Sequence, residues 1–121
     1  MKVTSPEKTL DHSFYVREKN KLVKIYLHEI IAFESKMHHI IIHTLKSKTT
    51  IYWNLEKVKS ALTGRKEFIQ VHRSYIISEN YVEFIEANTI VLADKTRITL
   101  GRLYKKEFVN LIQTKILNDK I

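Results

Sequence analysis

The chain has 121 residues, 44% hydrophobic and 28% charged, the size and balance of one folded domain rather than a disordered polyelectrolyte. Its 21 lysines and arginines face 13 aspartates and glutamates, a formal net charge of +8, so a polyanion is the expected partner. Cysteine is absent, which removes disulfides, thiolate nucleophiles and cysteine-based zinc sites and fits a reducing cytoplasm; no apolar run is long enough to span a membrane, and residues 1–8 carry no apolar block of a secretory signal.

Residues 1–11 are polar, hold the only proline (Pro6) and keep no hydrophobic period, so they read as an N-terminal tail or linker ahead of one domain over 12–121. From His12 onward, Ile, Val, Thr, Tyr and Phe gather in short clusters, some with period two, as in Val23, Ile25 and Leu27. They predict strands near 13–18, 22–27, 30–34, 39–44 and 49–53. Asn54 can then cap a short helix whose Leu55, Val58 and Leu62 share a face, with Gly64 just past its end. Five more strands are expected near 68–71, 75–78, 81–86, 89–93 and 96–100, followed by a C-terminal helix with Leu103, Phe108, Leu111, Ile112 and Ile116 on one side. Turns fall at 18–21, 46–48, 86–88 and 94–95 and, with only two glycines in the chain, must rely on Asn, Asp and Lys. The expected fold class is mainly β: a β-rich α+β domain of about ten short strands with one short internal helix and a C-terminal helix. Phe33, Phe68 and Phe84 stand in apolar runs that look buried, whereas Tyr52 and Trp53 remain candidates for stacking on bases.

Three constellations carry chemistry. His72-Arg73-Ser74-Tyr75 is a basic, hydroxyl-rich knot between two apolar runs, and a guanidinium cannot shed its charge, so Arg73 must meet water or an anion. Arg73 and Ser74 can donate to phosphate or a base edge while Tyr75 anchors the loop; a purely structural Arg73, stacked on Tyr75 or paired with a glutamate, is equally consistent with the spacing. The segment 34–39 sets Ser35, Lys36, His38 and His39 in a loop whose imidazoles suit a purine edge or, protonated, a phosphate. His39 and His43 would share one strand face, but two histidines do not close a metal site. Where the last strand enters the last helix, Arg102, Lys105 and Lys106 join helix-start amides in a natural anion site. No P-loop, dinucleotide-binding turn, nucleophile elbow or zinc-protease motif is present, so neither an enzyme nor a cofactor is expected.

Taken in order, Phe14-Tyr15-Val16, Leu22-Val23-Lys24-Ile25, residues 30–35, residues 68–77 and residues 101–108 resemble the LytTR-type DNA-binding domain, the output module of many bacterial two-component response regulators. The resemblance spans about 13–110. It implies an elongated antiparallel β fold whose loops enter two successive major grooves of double-stranded DNA and the minor groove between them. Carried over by position, His39 or His38 and Arg102 would read bases in the major grooves and Arg73 would face the intervening stretch. Lys36, Ser35, His72, Ser74, Lys105 and Lys106 would contact phosphates. The family implies tandem-repeat promoter sites, binding in pairs as a homodimer on DNA, cytoplasmic transcription regulation, and a receiver domain where the chain is part of a longer regulator. Gly101 stands where the family usually has a serine, and Ser78 and Glu79 stand where an asparagine often follows the strand, so the Glu79 carboxylate is expected to point away from DNA. The competing reading is an RNA- or anionic-surface-binding module using the same basic face.

Overall fold

Ten strands and two helices form close to the expected boundaries in the computed structural model, which describes residues 12–118; the tail expected over 1–11 lies outside the described residues. Strands β1 (Ser13–Glu18) and β2 (Lys21–Tyr26) make a hairpin. A five-stranded antiparallel sheet follows, built from β3 (Ile30–Lys36), β4 (His39–Thr44), β5 (Lys48–Tyr52), β6 (Phe68–His72) and β7 (Tyr75–Ser78) in the order β5-β4-β3-β7-β6. Strands β8 (Val82–Glu86), β9 (Thr89–Leu92) and β10 (Arg97–Thr99) form a second, three-stranded sheet. Helix α1 (Leu55–Ala61) bridges β5 and β6, and α2 (Arg102–Gln113) follows β10.

Central strand β3 explains its own composition. Ile30, Ile31, Ala32 and Phe33 are all buried because both faces of the five-stranded sheet are covered. On one face Phe33, Ile40, Ile42 and Ile76 pack with Val16 and Ile25 of the first hairpin and Val58 of α1. On the other, Ala32 and Ile77 pack with Ile90, Leu92 and Ile98 of the second sheet and Phe108 of α2. Phe108 is fully buried, so truncating it to alanine would cost about 3–5 kcal/mol and loosen α2 from the sheet.

Local chemistry sets the ends of these elements. The Asn54 side chain accepts from the Lys57 amide at 2.9 Å, which caps α1, and Gly64 beyond it takes a left-handed φ of 89°. The two-residue turns of three hairpins put Lys19, Met37 and Ala87 at φ of 58°, 58° and 56°. In two of them the left-handed residue is therefore the one preceding Asn20 or Asn88, not the asparagine to which propensity points.

Three side chains correct the expected burial. Phe84 is 45% exposed on β8, an edge strand of the three-stranded sheet. Leu103 is 88% exposed, since five helical steps of about 100° separate it from Phe108 and put it on the far side of α2. Ile116 lies past the end of α2 and is also exposed.

Candidate nucleic-acid interface

The sheet register brings the three sequence constellations to one end of the scaffold. The pair Lys36↔His39 closes the β3–β4 hairpin, and Glu34↔Tyr75 sets β7 beside β3. The β3–β4 and β6–β7 turns therefore open at the same end of the sheet. The Ser35 amide donates to the Ser74 carbonyl at 2.8 Å, tying one turn to the other. On the opposite flank the Gly101 amide donates to the Val71 carbonyl at 2.8 Å, which sets the start of α2 against the end of β6. The approach is close: a Cβ on Gly101 would lie 3.4 Å from the His72 Cα and 3.1 Å from the Tyr104 ring. The segment His72–Tyr75 thus stands between the hairpin of Lys36 to His39 and the helix start at Arg102.

Lys36, His38, His39, Arg73, Arg102, Lys105 and Lys106 are exposed, while Ser35, His72 and Ser74 are half-buried. Arg73 makes no ion pair or ring contact among the described residues; it is His72, not Arg73, that packs edge-on against Tyr75, with ring centroids 5.9 Å apart. His72 shapes the turn, its Nδ1 accepting from the Ser74 amide at 3.0 Å and its carbonyl from Gln70 at 3.2 Å. That acceptor role leaves only Nε2 of this ring free to donate to a phosphate. His39 lies edge-on to its cross-strand partner Tyr52, centroids 5.7 Å apart, so this imidazole has a defined orientation. At α2 no acidic residue occupies the first turn, and Arg102 opposes the helix dipole; an anion there would offset both. Lys105 also lines a small cleft with Asn88 and Phe108.

Sequence reasoning missed Glu34. His43 Nε2 lies 2.9 Å from Glu34 Oε1, in a pair whose side chains are 6% and 22% exposed. Burial first, then the charge and hydrogen bond of Glu34, hold the Tyr75 phenol above its ordinary value of 10.0. One carboxylate therefore joins β3, β4 and β7 directly beneath the two turns. His43 Nδ1 is buried with no hydrogen-bond partner among the described residues; an unpaired acceptor is tolerated better than an unpaired N–H, so Nε2 carries the proton toward Glu34. Period two already placed Glu34 and His43 on definite faces of their strands; only the register between β3 and β4 could have paired them.

Among the described residues no three His, Asp or Glu side chains come together as a metal site, and His43 is committed to Glu34. A cavity of about 600 Å³ between β1, β5 and α1 is lined by Phe14, Phe33, Ile42, Trp53 and Val58 among others, with Arg17 the one charged side chain in its lining. No helix among the described residues is long and apolar enough to cross a membrane. Glu79 pairs with Lys115 at 2.8 Å, beyond the C-terminal end of α2, in keeping with a carboxylate turned from the cationic loops.

A β scaffold that gathers cationic and imidazole-bearing loops at one end defines a module for polyanions. More narrowly, the chain belongs to the LytTr DNA-binding domain family, which it matches over residues 20–113. Its fold is that of a solved LytTr DNA-binding domain from Bacillus cereus, assigned there to a methyl-accepting/DNA response regulator: TM-score 0.73, 17% identity, covering 84% of this chain and 97% of that one. No curated protein matches the chain.

Proposed function

We propose that this chain is the DNA-binding output domain of a bacterial transcriptional response regulator, reading double-stranded DNA through three loops. The observation that carries the reading is the pair of main-chain hydrogen bonds, Ser35 to Ser74 and Gly101 to Val71, that hold the three cationic segments side by side. In this arrangement His39 (or His38) and Arg102 read base edges in successive major grooves, and Arg73 faces the stretch between them. Lys36, Ser35, His72, Ser74, Lys105 and Lys106 engage phosphates, which supply most of the affinity and none of the sequence preference. Flanking readers suit tandem half-sites occupied by two copies, and the module would act in the cytoplasm, under a receiver domain where the chain is part of a longer regulator.

A selection from a random duplex pool, repeated with Arg102→Ala and His39→Ala, tests this. Each variant should lose about 1–3 kcal/mol and relax preference at its own position in the site. An unchanged preference profile for both variants would sink the base-reading assignment. A second reading draws on Tyr52, 78% exposed beside His39, and on the neighbouring exposed Trp53, because such rings can stack on single-stranded RNA. Competition between duplex DNA and single-stranded RNA at moderate salt separates the two.

A further inference from the structure

Two large apolar side chains stand fully out in solvent, each beside a proposed base reader. Met37 is 88% exposed at the tip of the β3–β4 hairpin, between Lys36 and His38. Leu103 is also 88% exposed, next to Arg102 in the first turn of α2 and on the side of that helix away from Phe108. Neither exposure is forced by the fold. The Met37 backbone is left-handed at φ 58°, a geometry that glycine or asparagine adopts more readily, and at that exposure its side chain packs little against the protein in return. Leu103 has no role in seating α2, which Phe108, Val109 and Ile112 perform. Leu45, Tyr52 and Leu117 are exposed as well, so exposure alone assigns no role; what sets Met37 and Leu103 apart is their place among the cations of the reading loops.

The neighbours of each residue state what kind of surface it would meet. Lys36, His38 and His39 flank Met37, while Arg102 and Lys106 flank Leu103, so any surface meeting either tip is polyanionic as well as apolar. In a duplex major groove the one apolar group that carries sequence information is the 5-methyl of thymine. We propose that Met37 and Leu103 are the apolar members of the reading surface, each seated against the methyl group of a thymine in the groove its loop enters. The inference rests on the duplex-DNA reading above and adds a requirement to it: the preferred site must hold a thymine under each loop.

Replacing single thymines by 2′-deoxyuridine removes the methyl and leaves the phosphates and the Watson–Crick edge intact. On the duplex selected by the wild-type chain, substitution at one thymine per loop should weaken binding about three- to fivefold, the worth of one buried methyl. Met37→Ala should bind the thymine and deoxyuridine duplexes equally at the first position while keeping the loss at the second; Leu103→Ala should do the reverse. Met37→Gly, which suits the left-handed backbone, should behave as Met37→Ala with no loss of thermal stability. Because no cation is removed, the salt dependence of binding should not change. A selected site without thymine under these loops, deoxyuridine duplexes bound as well as thymine ones, or variants that keep the wild-type discrimination would each overturn the proposal while leaving duplex binding standing. Failure to bind any duplex would overturn the DNA reading, and this inference with it.

Discussion

Glu34→Ala should be among the most costly single changes in the domain that touches no core hydrocarbon. The carboxylate is mostly buried, accepts from His43 at 2.9 Å and carries a further hydrogen bond to Tyr75. His43 is 5% exposed and its Nδ1 already lacks a partner, so removing Glu34 leaves neither ring nitrogen hydrogen-bonded. A hydrogen bond to a charged group contributes about 1.5–3 kcal/mol, and an orphaned buried donor brings a penalty of similar size. Part of this returns as relief from desolvating the carboxylate, leaving a loss of about 2–3 kcal/mol. For a domain of this length that is a fall in Tm of roughly 8–12 °C. The assay is chemical denaturation of the wild type, Glu34→Ala, His43→Phe and the double variant. A coupling energy of at least about 1 kcal/mol is expected between positions 34 and 43. Coupling near zero, with Glu34→Ala as stable as the parent, would refute the claim that this carboxylate joins β3 to β4.

Lys106→Ala should weaken binding to every duplex alike, with the slope of log K against log salt shallower by about 0.9, as for one lost phosphate contact; a sequence-dependent effect would move Lys106 among the base readers. The raised titration of Tyr75 has a definite sign: its folded form favours the neutral phenol, so the associated stability is complete below pH 10.0 and declines as pH rises through the folded value. Absorbance titration of wild type against Tyr75→Phe should show one tyrosine ionising later than the rest, and Glu34→Gln should bring it earlier. Gly101→Ser meets an extended backbone, φ −73° and ψ 146°, at a helix start with no side-chain cap. The new Cβ requires the Tyr104 ring to yield by a few tenths of an ångström, so the net gain in stability should be only a few tenths of a kcal/mol; a loss above about 0.5 kcal/mol would show that the ring cannot move.

What the sequence made legible follows from how far each feature reaches along the chain. Strand positions depend on a period of two, which Val23, Ile25 and Leu27 display without reference to any partner, and Asn54 caps α1 across three residues. The three cationic segments were also visible, because arginines and histidines between apolar runs conflict with burial wherever the chain goes. The Glu34–His43 pair is different: nine residues apart, it exists only because β3 and β4 pair in one register, and a slip of one residue would send the carboxylate to the opposite face of the sheet. Phe84 differs for a related reason: the composition of β8 looks like that of a covered strand, but how far each face is covered depends on tertiary packing, which leaves this ring 45% exposed. Leu103 was local and still misjudged. Five helical steps from Phe108 turn about 500°, which carries it well onto the other side of α2. The properties a duplex reader most needs, the spacing of its loops and the outward aim of their tips, are thus set by register and helical phase rather than by composition. Changes that shift register, such as an insertion between Lys36 and His39, should therefore abolish sequence preference while non-specific, salt-sensitive binding survives.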